Sequence, residues 1–440
     1  MNPMNRTLRR TALVSAVAAA ACLAATPALA KDKLLMAVPT FLTGAGAPAF
    51  GVPARNGAEV MIQGINAGKL PAAYGGKGMA GAMIEPLIYD EAGGNTKQVT
   101  EYRNKVQKQN VDLFVGFVSS GTCQAITPVA EELKTLTVFV TCGTPRVFEE
   151  LAPNPKYVFR TMSHATADNV AAAHYVKNRV SDVSGYTGIN QNYAWGQDSW
   201  RDFALSMEVL EGDLPVSDKL QWPKIFAGQY GAEISALLLA RENLVHSSLW
   251  GGDLEALIFQ ATPRGLFRRK KVLFTVGGTA VYRLGKKMPE GVILGARGPY
   301  GIFAAEDDSE LNKWFRAAYI DRYNTAPTGP SYQYAQGVLA AKLAYDKAAA
   351  ANGGNFPSTE QVIEAFEGME FRSMSTTVKM ALNNGHQAIT DHVYGITKWD
   401  AENGVPAVVD VQTFKAECVM PPDGVDSVEW IESGMQGAQC

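Results

Sequence analysis

From Lys33 onward, short apolar runs alternate with longer amphipathic ones. "LLMAVPTF" (34–41) is followed by the loop "LTGAGAPAFG", then by Ala54, Ala58, Met61, Ile62 and Ile65 at helical spacing. "AMIEPLIYD" (82–90) leads through Gly93-Gly94-Asn95 to Val99, Tyr102 and Val106 on one helix face. "VDLFVGFV" (111–118) precedes Ser119-Ser120-Gly121 and a helix carrying Ile126, Val129, Ala130 and Leu133; "LTVFVT" (136–141) precedes Cys142-Gly143-Thr144. A second series starts near Tyr157. In it "SGYTGIN" (184–190) runs into "NQNYAWGQDSW", with a strand ending near Ile189 and a helix from about Gln197 through Leu210. "LVHSSLW" (244–250) runs into Gly251-Gly252-Asp253, and "KVLFTV" (271–276) into Gly277-Gly278-Thr279. Long helices are predicted over 308–323 and 331–350, before two closing strand segments, "HVYGITKWD" and "AVVDVQTF".

Apolar runs of this length, alternating with helices, predict parallel sheets covered on both faces. Two series predict an α/β protein of two doubly wound lobes. The polar, glycine-rich segments all fall between a strand and a helix. Ligands of open parallel sheets bind at that end, where helix N-termini offer unpaired N–H groups suited to a carboxylate. If two lobes face each other with these ends, the loops line one cleft.

The first 30 residues read as an export signal rather than as fold. Arg6, Arg9 and Arg10 precede an apolar run from Thr11 to Ala25, and Ala28-Leu29-Ala30 forms a small-residue cleavage site. The Arg pair leaves Sec and twin-arginine export both open, and Cys22 raises lipidation. Cleavage after Ala30 removes three arginines and no acid, taking the net charge from −3 to −6. That balance argues against a nucleic-acid partner. No later stretch is apolar enough to span a membrane. Cys123, Cys142, Cys418 and Cys440 form an even set suited to two disulfides in an oxidising compartment. Neighbouring strand ends favour Cys123 with Cys142, leaving Cys418 with Cys440 to pin the tail; free buried thiols are the alternative. Five histidines without ligand spacing call for no metal, and nothing in the chain calls for a cofactor.

The order and spacing of "AVPTFLTGAGAPAFG…NGAEVMIQGINAG", "YDEAGGNTKQ", "FVGFVSSGTCQAITPVAEE", "YVFRT", "YAWGQDS" and "SYQYAQGVLAAKLAYDKA" resemble the leucine/isoleucine/valine-type periplasmic solute-binding proteins of ABC importers. The resemblance runs from about Leu34 to Phe414. It implies two lobes joined by three chain crossings: lobe one over 33–160 and 303–389, lobe two over 161–302 and 390–417, with a C-terminal tail at 418–440. It places Ser120, between Ser119 and Gly121, where the family receives a ligand carboxylate. Gly143 and Thr144 match the loop whose carbonyl and hydroxyl complete that head-group site. Phe50 and Trp195 stand where the family has an aromatic wall, and Asp253 lies in a loop that supplies another contact. The family's amino-acid binders carry a carboxylate after the strand matching "KVLFTV", where this chain has Gly277-Gly278-Thr279. Either Asp253 takes over the ammonium, or the ligand has none.

Each candidate has a plainer reading. Trp200 reads as core, Trp195 and Tyr193 as cleft, and Trp250 as either the last strand residue or a cleft wall. Ser120, Thr144 and Asp253 also fit helix caps. "GKGMAG" matches a dinucleotide fingerprint but precedes a strand, so it reads as a loop. "RGLFRRKK" (264–271) reads as a solvated helix end. No nucleophile elbow or phosphate loop occurs. The expectation is a monomeric, non-catalytic periplasmic protein that binds a small organic carboxylate and serves a membrane permease. The ligand classes left open are branched-chain or aromatic amino acids and apolar or aromatic carboxylic acids. A ligand-presenting sensor, and an exported enzyme, are the alternatives.

Overall fold

The computed structural model describes residues 31–439. The chain first lays down β1 (Lys33–Thr40), β2 (Met83–Asp90), β3 (Leu113–Gly116), β4 (Thr137–Phe139) and β5 (Val158–Arg160), all mutually parallel. It then crosses to build β6 (Tyr186–Gly188), β7 (Leu244–Ser247), β8 (Lys271–Phe274) and β9 (Ile293–Gly295), again parallel. A second crossing returns it to β10 (Glu370–Arg372), β11 (Thr377–Leu382) and β12 (Gln387–Ile389). A third delivers the long hairpin β13 (His392–Asp400) and β14 (Val405–Phe414). The first sheet runs β10-β11-β12-β5-β4-β3-β1-β2, the second β14-β13-β9-β8-β7-β6. Both are doubly wound sheets with an antiparallel edge, and three crossings join the lobes.

Burial explains the run lengths. Every residue of β3 and β4 is buried, because helices cover both faces, so these strands need no alternation. The helix Val52–Ala67 buries Ala54, Ala58, Met61, Ile62 and Ile65. It lies so close to the helix Gly329–Ala351 that a Cβ on Gly57 would come within 2.1 Å of the Ser331 carbonyl. Only glycine allows that approach.

Two boundaries differ from expectation at the places that matter for function. The helix after β6 begins at Ala194, so Trp195 sits in its first turn rather than in a loop before it. Gly196 makes this possible: any Cβ there would stand 1.9 Å from the Gln191 carbonyl. β7 ends at Ser247, and Trp250 is instead the N-cap of the helix Gly251–Ala261. Cys123 and Cys142 are disulfide-bonded, joining the helix after β3 to the loop after β4. Cys418 is also in a disulfide, while Cys440 and the expected export signal lie outside the described residues. Val419, Met420, Trp430, Ile431 and Met435 of the tail pack into the core of lobe two. Among the described residues no helix is long and apolar enough to cross a membrane.

Candidate functional site

The carboxyl ends of both sheets meet across a small cavity, narrow as the lobes stand. Lobe one lines it with Phe50, Val118, Ser120, Thr141 and Gly143, and lobe two with Tyr193, Trp195, Trp250, Val276 and Arg297. Phe50 stands edge-on to Trp250, ring centres 5.2 Å apart. Trp195 is 3% exposed, and its indole N–H is spent on the Ser248 carbonyl at 2.8 Å, leaving the ring faces as its contribution. The ring lies directly over Gly143, where a Cβ would meet it at 2.3 Å.

Three polar groups facing this space can donate. Ser120 Oγ accepts the N–H groups of Gly143 and Thr144, at 3.1 and 3.2 Å. Its own hydrogen is thereby left over for the cavity. Tyr193 Oη accepts the Trp250 indole N–H at 2.7 Å, which again leaves the phenol hydrogen free. Burial pushes the Tyr193 phenol well above its ordinary pKa, so that hydrogen stays in place.

Arg297 is the third donor and crosses between the lobes. It follows β9 with φ +59°, a left-handed conformation uncommon for a long side chain. Its Nε donates to Asp168 Oδ2 at 3.0 Å, while the guanidinium also bonds to the carbonyls of Thr141 and Ser163. The guanidinium stacks over Trp195 with 4.7 Å to the ring centre. His392 Nε2 lies 3.2 Å from the other carboxylate oxygen of Asp168, with no hydrogen bond between them. A buried charge paired as Arg297 is with Asp168 keeps its geometry.

Several sequence candidates lie outside the cavity, each for a visible reason. Asp253 is fully buried but accepts from Gln191 Nε2 and from the N–H groups of Phe226 and Gly228, so it anchors the 226–228 loop. Thr279 donates its hydroxyl to the Val276 carbonyl one turn back. Thr144 turns its hydroxyl to Asp198 Oδ2 at 2.7 Å, and the Gly143 carbonyl is taken by the Ala165 N–H at 2.7 Å. Ser119 and Gly121 face a neighbouring chamber instead. At Gly277 and Gly278 a side chain has no room, since each Cβ would come within 2.8 Å of Leu294 in β9 or of Ala296 just after it. Every acceptor considered for a ligand ammonium is therefore engaged elsewhere or missing. Trp200 packs with Tyr186, Phe203 and His246 in the lobe-two core. Sequence reading missed Arg297; "GVILGARGPY" follows the same strand-then-loop pattern, but its apolar run is only three residues long.

A second contact between lobes flanks the cavity. Arg146, from the loop after β4, donates through Nε and Nη2 to Asp198 of the helix Ala194–Glu211, at 3.1 and 2.9 Å. Among the described residues no group of His, Cys, Asp or Glu is placed to hold a metal ion.

This two-lobed arrangement, with a cavity between facing strand ends, defines a hinged solute-binding protein. The chain belongs to the periplasmic binding protein family, whose model matches residues 33–404. It is 26% identical over 271 residues to the leucine-, isoleucine-, valine-, threonine- and alanine-binding protein of Pseudomonas aeruginosa. That match covers 60% of this chain and 66% of the relative, just under two thirds of its length. Among solved structures it superposes on a solute binding protein of an ABC transporter from Rhodopseudomonas palustris BisB5 in complex with 3,4-dihydroxybenzoic acid. There the TM-score is 0.72 and the identity 17%, covering 88% of this chain and 98% of that one. A second R. palustris solute binding protein, in complex with benzoate, gives 0.70 at 17% identity, covering 88% and 99%. A leucine binding protein of Thermotoga maritima gives 0.68 at 18% identity, covering 86% and 98%.

Proposed function

We propose that this chain is the exported binding component of an ABC importer, closing around a small carboxylic acid that has a flat apolar body and no ammonium beside its carboxylate. The observation that carries the reading is the donor-rich polar lining: Ser120, Tyr193 and Arg297 offer hydrogens, and no carboxylate lines the cavity. An anion is stabilised by such a lining, whereas an ammonium shut into it would cost several kcal/mol. Phe50, Trp195 and Trp250 supply broad aromatic faces for the body of the ligand. Gly143 supplies the clearance that lets the lobes shut. Benzoate-type ligands in two structural neighbours support the same class. The reading includes cleavage after Ala30, a periplasmic monomer, delivery to a membrane permease, and binding without catalysis. It takes lobe one as 33–160 with 303–389 and lobe two as 161–302 with 390–417.

Thermal-shift screening of the mature protein against amino acids, aromatic acids, short amides and polyols tests it. Stabilisation by aromatic or apolar carboxylic acids, and not by zwitterionic amino acids, is the expected pattern. A polyol or an α-amino acid as the sole stabilising ligand would overturn it.

A further inference from the structure

The segment 118–122 faces two spaces. Val118 and Ser120 look into the cavity described above, while Ser119, Gly121 and Thr122 look into a second, outer chamber. Tyr193 borders both. An aromatic row runs along the pair of chambers and alternates between lobes. Phe50 meets Trp250 at 5.2 Å, Trp250 meets Phe41 at 5.8 Å and Phe226 at 5.3 Å, and Phe41 meets Phe226 at 5.8 Å. The outer chamber thus continues the apolar wall of the inner one, so a flat ligand can extend from one into the other without leaving aromatic cover.

The outer chamber differs in its polar chemistry. Its lining includes Glu91, Asn95 and Gln124. Glu91 is 1% exposed and accepts the N–H groups of Val118 and Ser119 at 2.7 and 2.9 Å. Phe117, at φ +65°, makes the turn that aims both N–H groups at it. No charged nitrogen of the described residues lies within 4 Å of this carboxylate, and the one nearby charge that acts on it is the like charge of Asp90. The Thr122 hydroxyl adds a third hydrogen bond, and since a carboxylate has about four acceptor positions, one is left unfilled. Buried carboxylates are otherwise paired with a cation or fully hydrogen-bonded. Burial accordingly pushes the Glu91 carboxyl up to about 7.

We infer that the outer chamber is a second subsite in which Glu91 receives an N–H or O–H donor carried at the end of the ligand remote from its carboxylate. This rests on the carboxylate reading of the inner cavity, and it deepens that reading. The inner chamber takes the anionic end at Ser120 and Arg297, the aromatic row takes the body, and Glu91 selects for a distal donor. A ligand with a methyl group at that end leaves the carboxylate without its remaining partner, and a site of this kind discriminates strongly against such an analogue.

The test is calorimetric titration of the mature protein with benzoate, 4-methylbenzoate, 4-hydroxybenzoate and 4-(aminomethyl)benzoate. The last two separate a phenolic from an ammonium donor. At about pH 8.5, above the raised Glu91 value, a hydrogen bond to the ionised carboxylate predicts about tenfold or greater preference for at least one donor-bearing acid over 4-methylbenzoate. In Glu91→Gln the same ratio falls to near one. If the acids bind but wild-type protein shows no preference over 4-methylbenzoate, the second subsite is wrong and the carboxylate reading stands. If the preference survives in Glu91→Gln, Glu91 is not its source and the inference also fails. If no member of the series binds, the carboxylate reading falls and takes this inference with it. The wild-type comparison alone decides the matter should Glu91→Gln not fold.

Discussion

Two tryptophans five residues apart, Trp195 and Trp200, have opposite tasks, and the difference lies in what each ring touches. Trp200 is enclosed by Tyr186, Phe203 and His246 within one lobe. Trp195 is enclosed only because the other lobe supplies Gly143 and because Arg297 lies over its face. Replacing Trp195 with Ala therefore removes a buried aromatic anchor and is expected to cost about 2–4 kcal/mol of ligand binding, with little change in the ligand-free melting temperature. Trp200→Ala is expected to destabilise the fold by about 3–5 kcal/mol, while any protein that folds keeps its affinity. Calorimetry and melting curves on both variants check this; a sharp loss of stability with intact affinity in Trp195→Ala would assign that ring to the core. With a helix expected from about Gln197, the motif assigned Trp200 to the core and Trp195 to the cleft. It did not show that the helix begins at Ala194, because the close approach to Gln191 that Gly196 permits is a tertiary contact.

At the scale of elements, the cleft is made by loops whose positions follow from strand ends, and that much was legible. The runs at 111–118 and 136–141 end two residues past β3 and β4, so the loops that carry Ser120 and Gly143 were legible in the pattern, and the resemblance singled out the residues. Asp253 and Thr279 sit in equally suitable loops yet turn inward to hold their own lobe. Nothing in a linear pattern distinguishes a side chain that faces the cleft from one that braces the loop beside it. Arg297 escaped notice for a related reason: β9 is only three residues long, too short to carry a periodic signal. The element-scale prediction concerns the loop after β4 and the helix Ala194–Glu211. Gly143→Ala places a methyl group where the Trp195 ring and the Arg297 guanidinium lie when the lobes meet, at 2.3 and 2.8 Å. Each lobe has room for that methyl when they part. Ligand affinity is expected to fall at least about tenfold with the melting temperature of the free protein nearly unchanged, as a barrier to closure requires. Small-angle scattering should show the variant failing to compact at ligand concentrations that compact the wild type. Full compaction at the same concentrations would contradict the assignment.

The whole molecule carries a pH dependence set by buried acids in both lobes. Burial raises Glu91 and Glu149 to about 7 and Asp202 to about 6. A raised carboxyl binds its proton more tightly in the folded chain, so its contribution is present at low pH and is lost as pH climbs through the folded value. His164 and His246 act in the opposite sense, since burial lowers both below 6.5, His246 to about 3. Their contribution is complete above about 6.5, the value of the unfolded chain. The window from about pH 6.5 to 8 therefore isolates the acids, and stability is expected to fall across it. Glu149→Gln keeps an acceptor for the Ser427 N–H and hydroxyl without the charge. It should raise the melting temperature at pH 8 by a few degrees and flatten the decline. A wild-type melting temperature that climbs from pH 6.5 to 8, or an unchanged slope in Glu149→Gln, would contradict this.

The donor-rich cavity between the lobes, free of carboxylates, is the centre of the account, and a paired titration addresses it most directly. Isothermal titration of the purified mature protein with benzoate and with leucine compares two ligands of similar apolar bulk, one an anion and one a zwitterion. The account predicts saturable one-to-one binding of benzoate and at least about a hundredfold weaker binding of leucine, because no acceptor in the cavity awaits an ammonium. Tight binding of leucine with none of benzoate would contradict it.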